Sequence, residues 1–188
     1  MAKKNSPSIE EIISKKWLVH YNRKPLDKYL LHGFVLACND DFTLLNVFDN
    51  GLFILDGYCV LRNKDVKSYA VYDDENYFLN EVIRFKKIRP KFLPKISISS
   101  WIDLVRSIAE SFPFLVVFTE NLHKNECYIG KVTEIKAKSL LMLEIDPDAC
   151  WENTTKYKFA DVTMVKFGGH YENTLALVNA KRYDNQKG

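Results

Sequence analysis

The residues best suited to binding chemistry lie in one run near the middle of the chain. Residues 84–95 hold six basic side chains and no acidic one, with Phe85 and Phe92 between them. Basic side chains neutralise phosphates and release counterions, while exposed aromatic rings stack on bases. We therefore expect this run to bind RNA or another polyanion, through Arg84, Lys86, Lys87, Arg89, Lys91 and Phe92. The alternative interpretation is a solvated linker whose apolar residues pack against the neighbouring domains.

Two pairs of carboxylates have the spacing of a hard-cation site. Asp40 and Asp41 are adjacent, and Asp146 and Asp148 are two positions apart. Closely spaced carboxylates suit metals that prefer oxygen ligands. Both pairs fall where strands are expected to turn, and acidic side chains favour turns because they accept hydrogen bonds from nearby backbone N–H groups. We favour the turn interpretation.

The remaining reactive residue types form no recognised motif. The four histidines are His20, His32, His123 and His170, and none has the spacing of a metal ligand pair. The four cysteines are Cys38, Cys59, Cys127 and Cys150, with no C-x-x-C pair, so we expect mostly buried, free thiols. No nucleophile elbow or Cys–His signature is present. The sequence therefore predicts a protein that is not an enzyme and uses no metal or cofactor.

Composition is that of a globular protein. Of the 188 residues, 47% are hydrophobic and 27% are charged, and the net charge of +3 is too small to imply a polyanion partner without local clustering. The longest apolar run, residues 112–118, is well short of the roughly 20 residues that span a bilayer. The polar N-terminus lacks the apolar stretch of a secretory signal. We expect a cytoplasmic protein that does not associate with membranes.

The elements that would position the basic run are organised as an internal repeat. Residues 17–49 align without gaps on residues 114–146, an offset of 97 residues, and the alignment matches Gly33 with Gly130. Apolar residues alternate at the start of both copies, which indicates a strand with one buried face. In the first copy these are Trp17, Val19 and Tyr21, and in the second Phe114, Val116 and Phe118.

Further strands follow in both copies. The second strand is expected at 30–38 and 127–135, and the third at 42–48 and 139–145. Asp56-Gly57 between apolar residues predicts a two-residue hairpin turn in the first copy. The offset then falls to 96, because Asp65-Val66 matches Asp161-Val162 before the last strand.

A helix is expected before each set of strands. Ser8 and Glu11 have the spacing of a capping box. Ser100 can cap a second helix, which has apolar residues on one face and ends before Pro113. Five bent strands usually close into a barrel, because closure removes exposed sheet edges. The expected organisation is therefore mainly β with short helices: a first barrel at 1–83, a basic linker at 84–96 and a second barrel at 97–188.

A short helix followed by five bent strands resembles the Sm-like family of small, SH3-like β-barrels associated with RNA. The first copy also matches the spacing of that family's first motif, through Gly33, Val35, Asn39, Phe42 and Leu44. The segment from Arg62 to Val66 is similar to its second motif. The likeness covers about 60 residues of each copy, and it implies a tandem of two Sm-like domains.

The chain departs from the family at the positions that hold RNA. An asparagine of the first motif holds a base in the family, and here that position is Thr43 in the first copy and Leu140 in the second. The glycine of the second motif is Asn63 and Phe159, respectively. The resemblance therefore implies a shared fold without the family's base pocket.

Taken together, the sequence predicts a non-enzymatic binding module. We expect it to engage RNA or another polyanion through the basic run and through Arg62 and Lys64 of the turn before the last strand. The alternative is a protein-interaction adaptor, or a subunit of an oligomer, that uses the edge strands of its barrels to pair with another protein or with itself.

Overall fold

A computed structural model describes residues 7–92 and 95–184, without the side chains of residues 183 and 184. Over these residues the chain forms ten strands and four helices of seven residues or more. The predicted class, mainly β with short helices, is confirmed. Residues 93 and 94 of the predicted linker lie outside the described residues, as do residues 1–6 and 185–188 of the predicted domains.

The predicted order of a helix and five strands, repeated once, is confirmed. The first unit consists of α1 (Ile9–Lys15), β1 (Leu18–Asn22), β2 (Leu30–Cys38), β3 (Phe42–Asp49), β4 (Ile54–Arg62) and β5 (Ser68–Val71). The second consists of α3 (Trp101–Ser111), β6 (Leu115–Phe118), β7 (Tyr128–Lys136), β8 (Ser139–Ile145), β9 (Trp151–Lys158) and β10 (Met164–Phe167). Helix α2 (Phe78–Phe85) lies between the units and α4 (His170–Asp184) follows them.

Both predicted helix starts are capped by the expected serine, although the Glu11 carboxylate of the predicted capping box pairs with Lys15 at 2.7 Å instead. The Ser8 hydroxyl accepts a hydrogen bond from the Glu11 backbone N–H at 3.2 Å. The Ser100 hydroxyl accepts one from the Asp103 backbone N–H at 3.1 Å. These bonds satisfy donors that the first turn of a helix leaves without an intrahelical partner, and they fix where α1 and α3 begin.

The two glycines matched in the sequence lie in equivalent surroundings. In the β2–β3 pair Gly33 faces Val47, and in the β7–β8 pair Gly130 faces Glu144, which preserves the offset of 97. A Cβ on Gly33 would lie 2.9 Å from the Asn46 carbonyl oxygen, and one on Gly130 would lie 2.3 Å from that of Leu143. The neighbouring strand therefore excludes a side chain at both positions.

The gapless alignment is wrong by one residue in the first strand. Val19 pairs with Gly33 in the first unit, whereas Leu115 pairs with Gly130 in the second, an offset of 96. The following loops agree, because the Arg23 carbonyl accepts from Leu26 N–H as the Thr119 carbonyl accepts from Leu122 N–H. A slip of one residue exchanges the two faces of a strand.

The predicted alternation in the second unit is corrected accordingly. The side chains of β6 that join the large shared core are Leu115 and Val117, and Phe114 belongs to a different cluster. All four residues from Phe114 to Val117 are buried, so both faces of the strand are apolar and the sequence pattern does not determine its register.

The hairpin predicted at Asp56-Gly57 is wrong, because β4 runs through both residues. Gly57 has a φ of +66°, and its backbone lies so close to the second unit that a Cβ would be 2.5 Å from the Gly169 nitrogen. Gly57 adopts this conformation inside a strand, where the missing side chain lets two segments of the same chain approach closely.

All ten strands form one antiparallel sheet, in the order β5-β1-β2-β3-β4-β10-β6-β7-β8-β9. The two units join where β4 pairs with β10, from Leu61 opposite Met164 to Tyr58 opposite Phe167. The sheet is open, because β5 and β9 each pair on one side only. The strand pairing therefore does not show two separate five-stranded barrels.

Two separate barrels would also bury two separate cores, and that consequence of the prediction is wrong. The largest buried cluster takes Phe42, Leu44 and Val60 from the first unit together with Leu104, Ile108, Leu115 and Val165 from the second, among others. A cluster centred on the first unit includes Met164 of β10. Because β4 and β10 are neighbours in one sheet, side chains on each face of that joint pack across it.

Candidate functional site

The basic run forms an ordered turn at the end of α2. We call residues 84–92 the basic surface. Lys87 has a φ of +54°, and the Ile88 N–H donates to the Ile83 carbonyl at 2.9 Å, which closes the end of the helix. Ile88 then packs with Phe48 and Leu79 against the first unit.

A second attachment lies further along the basic surface. The Lys91 backbone N–H donates to the Oδ1 atom of Asn46 at 2.9 Å. Asn46 is buried in β3, and its Nδ2 donates to the Gly57 carbonyl at 2.8 Å. The side chain that receives the basic surface is thus itself held in place, which keeps the segment against the sheet.

The cations of the basic surface all face outward. Arg84, Lys86, Lys87, Arg89 and Lys91 are exposed. Arg84 forms a long ion pair with Glu81 at 3.8 Å, and the Lys86 ammonium donates to the Phe53 carbonyl at 3.2 Å. Within the part of the chain that the structure describes, no carboxylate pairs with Lys87, Arg89 or Lys91. Three of the five cations therefore remain available to an external anion.

The two phenyl rings of the basic surface also face outward. Phe85 is 78% exposed and Phe92 is 50% exposed. Of the apolar residues between them, Ile88 is the one that packs inward. The linker interpretation, in which these residues cover the neighbouring domain, holds for Ile88 but does not describe the two phenylalanines.

Arg62 is placed away from the basic surface and is already bonded. Its guanidinium donates from Nε to Asp65 at 2.5 Å and from Nη1 to the Ala160 carbonyl at 2.8 Å. The side chain is 9% exposed. Arg62 thus links the last turn of the first unit to the second unit, and its planar donors have internal acceptors.

Lys64 is exposed on the rim of an open cleft between the units. The cleft has a volume of about 450 Å³ and is also lined by Asp40, Asp41 and Trp101. Lys86 contacts the residue just before β4, whereas Arg62 ends that strand. At about 3.3 Å per residue, the nine steps from Phe53 to Arg62 span up to about 30 Å along β4. The structure therefore brings residues 84–92 together but does not bring Arg62 and Lys64 to them.

Two features near these sites were not found from the sequence. Phe78 begins α2 and is 59% exposed, and its ring lies 5.8 Å from that of Phe53, beside the basic surface. The spacing of Leu79 and Ile83 could have predicted α2, but Tyr77 supplies no side-chain cap to mark its start. The second feature is an open cleft of about 430 Å³ between equivalent loops of the two units, lined by Lys24, Lys28 and Lys124, among others.

The acidic pairs lie in turns, as expected. The Asp146 carboxylate accepts from the Cys150 backbone N–H at 2.8 Å. Asp40 and Asp41 lie in the short loop between β2 and β3. Among the residues described, no group of three or more histidine, cysteine, aspartate or glutamate side chains could hold a metal ion.

The cysteines differ from expectation in their burial. All four are free thiols, and Cys59 is fully buried. Cys127 and Cys150 are exposed, so the prediction of mostly buried cysteines is wrong for these two. Both lie in the second unit, immediately before β7 and before β9.

Comparison with known proteins returns no relative. No protein-family model, no curated protein and no solved structure matches the chain. Over the described ranges, none of the helices is both long enough and apolar enough to cross a bilayer.

Proposed function

We propose that this chain is a non-enzymatic binding protein that takes RNA or a similar polyanion on its basic surface. The observation that carries the proposal is an ordered turn that exposes five cations and two phenyl rings. Residues 84–92 contain no acidic side chain. A fixed array of cations attracts phosphates from a distance and releases counterions on contact, which favours binding at low salt.

Reversing the charge of the basic surface tests this proposal. In a variant carrying Lys86→Glu, Lys87→Glu and Arg89→Glu, we expect oligonucleotide affinity to fall by at least about tenfold and the salt dependence to flatten, because up to three phosphate contacts are lost. The matched control carries Lys131→Glu, Lys138→Glu and Lys156→Glu, three exposed lysines of the second unit. Fluorescence anisotropy with a labelled RNA measures both.

The control separates local binding from net charge. Both variants change the net charge equally, so an equal loss of affinity would show that the basic surface has no special role. A wild-type protein that binds no RNA, DNA or polyphosphate at low salt would remove the proposal altogether.

We also propose that each unit is an Sm-like domain. In its support, each unit has a helix before five strands and the order β5-β1-β2-β3-β4 or its equivalent. The family's base pocket is not part of the proposal. Thr43, which replaces its asparagine, is buried and donates to Asn63 at 2.7 Å, so the two side chains satisfy each other.

Assembly through edge strands remains the alternative, and the free edges argue against it. In the strand order, β9 is equivalent to β4, and β5 is equivalent to β10. If two molecules paired as β4 and β10 do within the chain, β9 of one molecule would pair with β5 of the next. Ser68 would then lie opposite Tyr157, as Met164 lies opposite Leu61. The next pair in that register is Lys67 with Lys158, and like charges directly opposite each other are destabilising. Lysine on an edge strand is a common protection against such pairing.

We therefore predict that the purified protein is a monomer. Light scattering during gel filtration should give the chain mass of 21.9 kDa over a wide range of salt concentration. A stable mass at an integer multiple of this value, insensitive to salt and nuclease, would favour the assembly function instead.

A further inference from the structure

The proposed ligand class can be narrowed. Resting on the proposed function, we infer that the polyanion is single-stranded nucleic acid whose bases stack on Phe85 and Phe92, bound in preference to a duplex. The inference depends on these two rings, since the cations alone do not distinguish one polyanion from another.

Both phenyl rings are exposed to solvent. Phe85 is 78% exposed and is the last residue of α2, while Phe92 is 50% exposed. Neither belongs to a buried cluster of the described residues. Single exposed apolar side chains are common on protein surfaces, whereas here two exposed phenyl rings lie seven residues apart in one basic segment that is held against the sheet.

Cations lie next to both phenyl rings in the sequence. Arg84 and Lys86 flank Phe85 in the sequence, and the Arg84 guanidinium lies 5.9 Å from the Phe85 ring centre. Lys91 directly precedes Phe92. Aromatic rings beside cations suit a single strand of nucleic acid, whose bases and phosphates are both accessible. Each base can stack on a ring while its phosphate contacts a neighbouring cation.

A duplex satisfies this arrangement poorly. Its base faces are stacked inside the helix, so it offers phosphates to the cations and nothing to the rings. An anionic lipid surface would also take both cations and apolar rings. However, an extended anionic surface that contacted Arg84 would also approach the like-charged Glu81, which lies 3.8 Å from the Arg84 guanidinium.

The test compares three ligands at one salt concentration. These are a 12-nucleotide single strand, a duplex of the same sequence and a polyphosphate. We expect Phe85→Leu to weaken binding of the single strand by about tenfold and Phe92→Leu by a similar or smaller factor. Binding of polyphosphate should stay unchanged. Replacing phenylalanine with leucine leaves the neighbouring cations and an apolar side chain in place and removes only the aromatic ring.

Two further variants make the readout specific to stacking. Phe85→Trp should restore binding of the single strand, and its fluorescence should be quenched by that ligand and not by polyphosphate. Tyr171→Leu removes a 53% exposed ring on α4 and should have no effect. The replaced side chains are exposed, so each variant is expected to fold.

The outcomes distinguish this inference from the function on which it rests. If all three ligands bind alike and Phe85→Leu changes nothing, stacking is wrong and the polyanion surface stands. If no ligand binds, the proposed function is wrong. If vesicles containing phosphatidylserine, tested as a fourth ligand, bind through Phe85 while oligonucleotides do not, the surface binds lipid, and both proposals are overturned.

Discussion

Replacing Glu120 with glutamine should destabilise the protein by about 3–5 kcal/mol. Glu120 forms a two-pronged ion pair with Arg23, with Nη1 3.0 Å from Oε1 and a shorter contact between Nη2 and Oε2. The side chains are 2% and 7% exposed, and Thr163 donates to the same carboxylate at 2.6 Å. Glu120→Gln leaves the Arg23 charge buried without a counter-charge, which is costlier than losing an exposed pair.

The effect is measured by urea unfolding, with an exposed ion pair as the control. Arg106 pairs with Asp103 at 3.1 Å with both side chains about half exposed, and Arg106→Gln should cost less than about 1 kcal/mol. The double variant Arg23→Met with Glu120→Leu should recover much of the loss, since no buried charge remains. A Glu120→Gln protein within about 1 kcal/mol of wild type would contradict a stabilising role for this buried pair between the units.

The second large effect is loss of stability in acid. His20 is 4% exposed, and its ring centre lies 4.3 Å from that of His32 and 4.1 Å from that of Tyr72. Burial, reinforced by His32, lowers the pKa of His20 from 6.5 to about 4. As the pH falls below 6.5, His20 therefore binds a proton in the unfolded chain but stays neutral in the folded chain.

The contribution of neutral His20 to the free energy of unfolding is therefore fully present above about pH 6.5. It declines as the pH falls toward 4, and the total loss from His20 is at most about 3 kcal/mol. Burial lowers the pKa of His32 as well, which adds in the same direction. His20→Phe should remove most of this dependence, as followed by urea unfolding at several pH values. His123→Asn, at an exposed position, should keep it, and a His20→Phe profile identical to wild type would contradict the burial argument.

The fold could be predicted from the sequence where the signal is local. Capping by Ser8 and Ser100 and the match of Gly33 with Gly130 each depend on a few adjacent residues, and the sequence predicts both. The repeat could be detected because the second unit keeps these features at a nearly constant offset.

The rest depends on contacts that are distant in the chain. The register of β6 is not encoded in its pattern, because Leu115, Val116 and Val117 are all apolar. Gly57 has the sequence of a turn, but it is placed inside β4 by its approach to Gly169, 112 residues later. The joint of β4 with β10, and with it the shared core, arises in the same way.

The candidate site was predictable in composition but not in form. A run of cations with two phenylalanines is visible in the sequence, yet whether those rings pack inward or face solvent depends on Ile88 and Asn46, which the sequence does not connect. Arg62 looked available for the same reason, since its acceptors Asp65 and Ala160 are assembled only by the folded chain.

The most direct test of the basic surface as a polyanion site is the salt dependence of wild-type binding to a single-stranded oligonucleotide. The logarithm of the binding constant should fall with the logarithm of salt concentration with a slope of about −2 if the three cations without internal partners contact phosphates, and of about −3.5 if all five do. A slope near zero, or no binding at low salt, would contradict the account.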